Sequence, residues 1–138
     1  MSELVSLLHA SLLVADLARA RAFYEGVLGL KPNPARPTMS FAGVWYDVGT
    51  GQIHLINLPN PDPVTGRPEH GGRDRHTALG VTDFAAMQAR LDSAGLPYTL
   101  SRSGRAALFV RDPDGNALEL VEVGGSDGGV NDRALDPV

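Results

Sequence analysis

Residues 4–14 carry Leu and Val at positions that fall on both faces of an extended chain, with His9 among them, and predict a buried strand. Asp16 then supplies an N-cap. Leu17, Ala20, Phe23, Tyr24, Val27 and Leu28 recur at helical spacing until Gly29 offers a C-terminal stop. Pro32, Pro34 and Pro37 forbid a continued helix, and strand-like runs follow at residues 38–41, 44–48 and 52–58, the last two joined by a hairpin turn at Gly49-Thr50-Gly51. The pattern over residues 4–58 is therefore βαβββ.

From residue 59 to residue 75 the chain is rich in Pro, Gly and charge, which predicts a connection without regular structure, either a linker or a lid over a site. The order then repeats. A strand over residues 76–82 leads to an N-cap at Asp83, a helix over residues 84–94 and a stop at Gly95. Strands at 98–102, 106–111 and 117–123 follow, the last pair joined by the turn residues Asp112-Pro113-Asp114-Gly115. Residues 124–138, glycine-rich and poor in apolar side chains, predict a loose tail.

The two halves also agree residue by residue. His9-Ala10-Ser11-Leu12-Leu13-Val14-Ala15-Asp16 overlays His76-Thr77-Ala78-Leu79-Gly80-Val81-Thr82-Asp83, with His, Leu, Val and Asp shared. Ile53-His54-Leu55-Ile56 overlays Leu118-Glu119-Leu120-Val121, placing one polar residue among apolar neighbours in each half. Two copies cannot build a solenoid. The predicted architecture is a single α+β domain over residues 1–123, made of two paired βαβββ modules (4–58 and 76–123) forming a curled mixed sheet around a cleft.

Composition narrows the chemistry. With no cysteine in 138 residues, disulfides, thiolate metal sites and cysteine nucleophiles are excluded, so any metal must be held by nitrogen and oxygen. A net charge of -4 gives no basic footprint for nucleic acid. No apolar run reaches the length of a membrane span, and the N-terminus lacks a basic region ahead of its apolar run, so a cytoplasmic protein is expected.

Strand parity puts His9 on one face with Ser11, and His76 on one face with the small residues Ala78 and Gly80, where a cavity has room. If the modules pair about a shared cleft, His9 and His76 face each other, as do His54 and Glu119. Such a nitrogen and oxygen set suits Fe, Mn, Ni, Co or Zn with positions left for water or substrate. Glu122, the neighbouring carboxylate, falls on the opposite face from Glu119. Arg67, Arg73 and Arg75 lead into the second ligand strand and offer bidentate partners for an anionic substrate. His70 in the same segment is a further substrate contact to weigh against an ordinary loop residue near solvent. Of the alternating Trp45 and Tyr46, one faces the core; a core position is the safer reading for Trp45, with substrate contact the other.

His9 followed by Val14-Ala15-Asp16-Leu17, the helix segment Phe23-Tyr24-Glu25-Gly26-Val27-Leu28-Gly29-Leu30, and Asp112-Pro113-Asp114-Gly115-Asn116-Ala117-Leu118-Glu119-Leu120 together resemble the vicinal oxygen chelate superfamily. That superfamily includes glyoxalase I, extradiol dioxygenases, and fosfomycin- and bleomycin-resistance proteins. The resemblance covers nearly all of residues 4–123. It implies that His9, His76 and Glu119 occupy the family's metal positions, with His54 where glyoxalase I usually carries a carboxylate. His54 is thus a fourth ligand or an unligated base, and Glu119 or His54 the proton carrier. The implied protein is a homodimeric, glyoxalase I-like metalloenzyme of lyase or isomerase type, acting on a small oxygenated substrate that chelates the metal. The alternatives are an extradiol-type Fe(II) dioxygenase and a metal-free protein that sequesters an antibiotic or metabolite.

Overall fold

A computed structural model describes residues 2–124, so the expected tail beyond Gly124 lies outside the described residues. The chain divides into two compact units, with the boundary between Asp62 and Pro63 inside the irregular connection.

The first unit is a mixed three-stranded sheet in the order β1-β3-β2, with β1 at His9–Leu13, β2 at Gly43–Val48 and β3 at Gly51–Ile56. β1 runs parallel to β3, and β2 antiparallel to it. The hairpin pairs Val48 with Gly51, leaving a two-residue turn whose first member, Gly49, has φ +57. Glycine accepts that left-handed conformation, as type II′ hairpins require. Between β1 and β2, Asp16 caps α1 (Leu17–Arg21) by accepting from the Arg19 N–H at 3.1 Å. The helix then widens into π-helical turns over Ala22–Val27, marked by the Leu28 N–H donating to the Phe23 carbonyl. This brings Phe23, Tyr24 and Leu28 into the core beside Val44, Tyr46, Ile53 and Leu55. The Tyr46 hydroxyl donates to Glu25 at 2.8 Å, and Arg21 holds the same carboxylate.

Two expectations fail here. The first strand begins at His9 rather than residue 4, and Leu4, Val5, Leu7 and Leu8 are 69–90% exposed. The cause is register: His9 pairs with Gln52, next to the first residue of β3, so no partner strand lies alongside the residues before Leu8. Residues 38–41 form no strand either. The outer edge of β2 is met by an isolated bridge from Pro32 to Tyr46 and by the Asn33 N–H on the Trp45 carbonyl. Pro37 offers no donor to a ladder. The first module is βαββ.

The second unit keeps the full βαβββ order. Its sheet, β4-β7-β6-β5, comprises β4 (His76–Val81), β5 (Tyr98–Leu100), β6 (Ala107–Arg111) and β7 (Ala117–Glu122), with β4 parallel to β7 and the other pairs antiparallel. Asp83 caps α2 (Phe84–Ser93) through the Ala86 N–H. Leu91 of α2 and the strand residues Leu108, Leu118 and Leu120 are buried. With three and four strands, each sheet stays open with two edges rather than curling on itself.

The segment preceding β4 is no idle linker. Arg67 grips Asp74 through Nε at 2.9 Å and Nη2 at 3.2 Å, and Arg111 of β6 reaches the same carboxylate at 2.9 Å. A short 3-10 turn at Gly71–Arg73 lies on the sheet, where a Cβ at Gly71 would fall 3.1 Å from Cβ of Phe109. Only glycine allows that approach without displacement.

Candidate functional site

Register alone places the chemistry of the first unit. Trp45 pairs with His54 across the hairpin, Asp47 with Gln52, and on the parallel side Ser11 pairs with His54 and His9 with Gln52. Period-two alternation puts all six on one face, while Val44, Tyr46, Ile53 and Leu55 turn toward the core. Tyr46 is the core residue of its pair, so the core reading of Trp45 is overturned. The chemical face is a cavity of about 640 Å³ whose walls include His9, Ser11, Trp45, Asp47, Gln52 and His54.

His54 is the middle of an aromatic stack. Its ring lies 3.9 Å from His9 (13° from parallel) and 4.3 Å from Trp45 (5°). The nitrogens must therefore find partners at the ring edge, and Nε2 meets Gln52 Oε1 at 2.8 Å. The sense of that bond is fixed from further out. Asp47 accepts from Asn33 Nδ2 at 3.1 Å and from Gln52 Nε2 at 2.9 Å, contacts that hold its carboxyl below the usual range. An ionised carboxylate only accepts, so the Gln52 amide turns its NH₂ to Asp47 and its oxygen to His54. His54 consequently carries its proton on Nε2 and its lone pair on Nδ1. Burial, then the charges of His9 and Arg36, lower its proton affinity, which favours this neutral form.

An imidazole binds a metal along a lone pair in its own plane. Two rings stacked 3.9 Å apart and nearly parallel have no point close to both planes, so His9 and His54 as placed do not share one ion.

The second unit arranges its pair differently. His76 Nε2 stands 3.3 Å from Glu119 Oε1, while Nδ1 is 2.8 Å from the Asp74 carbonyl. A carbonyl only accepts, so Nδ1 holds a proton, and Nε2 faces the carboxylate, able to donate to it when protonated and to join it as a second donor atom toward a cation when not. Glu119 is 5% exposed, paired in register with Ala78 and Phe109, and the Phe109 ring meets His76 edge-on at 5.1 Å. Asp74, which supports His76, is itself anchored. Burial would raise its pKa, but Arg67 and Arg111 outweigh that and hold it down at about 2. Glu122 lies on the opposite face of β7, where its carboxylate accepts from the Phe84 N–H at 3.4 Å.

A lone pair converging with a carboxylate oxygen is a donor set that fits a divalent cation. Among the described residues, no group of three His, Asp or Glu gathers in this way.

The remaining expected contacts separate. His70 is buried at 4% exposure, with Nδ1 2.7 Å from Thr99 Oγ1 and its ring edge-on to Phe109 at 4.9 Å, so it is not a solvent-facing loop residue. Arg73 and Arg75 are exposed, and Arg67 is committed to Asp74. Sequence reasoning missed Gln52, Asp47 and Arg36. Gln52 shares strand and face with His54, a signal that parity contains.

A family model described as the Glyoxalase/Bleomycin resistance protein/Dioxygenase superfamily matches residues 6–120. The chain is 31% identical over 129 residues to a lactoylglutathione lyase of Haemophilus influenzae, covering 86% of this chain and 93% of that one. It is 29% identical over 124 residues to Glyoxylase I 4 of Arabidopsis thaliana, covering 86% and 71%. The crystal structure of a lactoylglutathione lyase from Agrobacterium tumefaciens superposes with a TM-score of 0.63 at 23% identity, covering 94% of this chain and all of that one. Among the described residues no helix is long and apolar enough to cross a membrane.

Proposed function

Since the chain belongs to the glyoxalase/bleomycin resistance/dioxygenase superfamily, we propose that it is a metal-dependent lyase or isomerase of glyoxalase I type, acting on a small oxygenated substrate. The observation that carries this reading is the His76–Glu119 pair, with Nε2 and Oε1 3.3 Å apart and the opposite ring nitrogen tied to Asp74. His76 and Glu119 would hold a divalent ion of the Fe, Mn, Ni, Co or Zn group. The sequence repeat, rather than any distance, nominates His9 as a further donor. When bound, such an ion supplies Lewis acidity that stabilises negative charge on a coordinated oxygen.

The protein's own groups do the rest. Glu119, mostly shielded from water, is the first choice of proton carrier in an isomerisation, taking a proton from the carbon beside a carbonyl and returning it to the neighbouring carbon. His54 stays off the metal, presenting Nδ1 as an acceptor to a substrate hydroxyl while Gln52 holds Nε2–H. The protein is proposed to be cytoplasmic and homodimeric, as is common in this family, with both modules acting as one domain.

The test is isomerisation of the hemithioacetal formed from a 2-oxoaldehyde and glutathione, with each of the five metals supplied in turn. Turnover with at least one metal, lost in Glu119→Gln, is the expected result. Oxygen uptake with catechols in place of isomerisation would move the assignment to an extradiol-type dioxygenase. One observation favours a second reading: the cavity of the first unit is walled by stacked aromatic rings and has the size of a small-molecule site. Tight ligand binding with no turnover and no bound metal would make the protein a sequestering one.

A further inference from the structure

The cavity of the first unit contains a cation that the proposed chemistry leaves unused. Arg36, in the proline-rich segment ahead of β2, lines the cavity and is half-buried. Nη2 donates to the Phe41 carbonyl at 2.8 Å, and the guanidinium carbon stands 5.7 Å from the Phe41 ring centre. Those contacts fix the side chain but engage one of five N–H donors and no negative charge. The Asp47 carboxylate on the same cavity wall is taken by Asn33 and Gln52. Strand β2 makes room for the group: a Cβ at Gly43 would collide with the Leu55 carbonyl oxygen and come within 3.1 Å of Arg36 Nη2.

A guanidinium held rigidly beside apolar walls, with donors to spare, is a receptor for a planar anion. We propose that this cavity takes a small organic carboxylate, its anion paired with Arg36 and its apolar body lying against Trp45, Phe41 and Met39. A single fork matches the two oxygens of a carboxylate. A phosphate dianion presents more acceptor oxygens than one guanidinium fork satisfies. The volume of about 640 Å³ leaves room for a ligand well beyond the carboxylate itself. The proposal deepens the functional reading by naming the substrate class, and rests on this cavity being its small-molecule site.

Trp45 is the only tryptophan of the chain and lies in the cavity wall, so its fluorescence reports occupancy directly. The probes are mandelate and its neutral counterpart mandelamide, titrated into the protein as purified and again with EDTA. Wild-type protein should bind mandelate at least about tenfold more tightly than mandelamide, with or without EDTA. Arg36→Met and Arg36→Gln should each weaken mandelate by roughly 10- to 100-fold and leave mandelamide unchanged. One variant is apolar and the other polar, so agreement between them together with an unchanged mandelamide affinity shows that lost charge, not a displaced loop, is responsible. Equal affinity for the two probes, no uptake of either at millimolar concentration, or a preference that survives both substitutions overturns the proposal. A preference abolished by EDTA but not by substitution assigns the anion to a metal, overturning the role of Arg36 while supporting the metalloenzyme. A preference abolished by substitution in protein that carries no metal leaves Arg36 in place and removes the lyase.

Discussion

The chemical faces of the two sheets start from the same plan and reach different geometries. Each has a histidine on its first strand, parallel to a last strand carrying a second polar residue. In the first unit that second residue is His54, and the two rings lie flat on one another with Trp45 completing the stack. In the second it is Glu119, and the imidazole turns edge-on so that a ring nitrogen meets a carboxylate oxygen. Two rings side by side can stack, whereas an imidazole nitrogen meets a carboxylate oxygen in the ring plane. One exchange of His for Glu thus separates a face of stacked rings from a face that sets a ring nitrogen beside a carboxylate oxygen.

The proton positions follow the same split. Gln52 takes the proton of His54 at Nε2, leaving Nδ1 as the acceptor. The Asp74 carbonyl accepts from Nδ1–H of His76, leaving Nε2 to face Glu119.

The largest effect is expected at the His76–Glu119 face, where the metal is proposed to bind. Glu119→Gln should lower metal affinity and turnover by more than the roughly 10- to 100-fold cost of losing an outer partner of a ligand, measured by metal titration and initial rates. His54→Gln should spare metal affinity. Equal losses would erase the distinction between the faces.

Next is the support behind His76. Asp74→Ala removes the carboxylate that joins Arg67 to Arg111 and should cost about 1–3 kcal/mol in denaturant unfolding. The pH dependence has a definite sign. The folded pKa of Asp74 is depressed to about 2 from its ordinary 3.8, so its stabilisation is fully present above about pH 4 and is lost as pH falls toward 2. The wild type should therefore lose its advantage over Asp74→Ala in that window, and a constant gap from pH 7 to pH 2 would contradict the ion-pair account.

A smaller effect is expected at the stack. Trp45→Leu keeps apolar bulk but removes the parallel contact with His54, at a cost of about 0.5–1.5 kcal/mol in thermal or denaturant unfolding. The smallest concerns the tautomer. Gln52→Leu should leave the fold intact while the ¹⁵N shifts of His54 change from a single Nε2–H form to a mixture; an unchanged spectrum would show that Gln52 does not set the proton.

Much of this was legible in the sequence, and the reasons are specific. Asp16 and Asp83 announced both helices because capping is a local interaction, and Gly49-Thr50-Gly51 announced the hairpin, although the turn proper is Gly49-Thr50 and Gly51 already pairs with Val48 as the first residue of β3. From that register Asp47 opposite Gln52 and Trp45 opposite His54 could have been counted, and with them the hydrogen-bonded chain that orients His54. The strand expected at residues 38–41 was not recoverable from pattern, because what decides it is whether a neighbour exists to pair with, a tertiary matter. Arg36 was illegible for the same reason: a loop shaped by Pro32, Pro34 and Pro37 delivers it to the cavity, and no periodicity encodes that path. His70 looked like a loop residue because its segment is polar, yet Gly71 lets that segment lie against Phe109.

The most direct test of the contrast between the faces is the metal content of protein purified without chelators or an affinity tag, beside His76→Ala and His54→Gln. The account predicts near-stoichiometric divalent metal in the wild type, lost in His76→Ala and kept in His54→Gln. Loss in both variants would put His54 on the metal, and a wild type that carries none and takes up none when Fe, Mn, Ni, Co and Zn are offered would contradict the metalloenzyme itself.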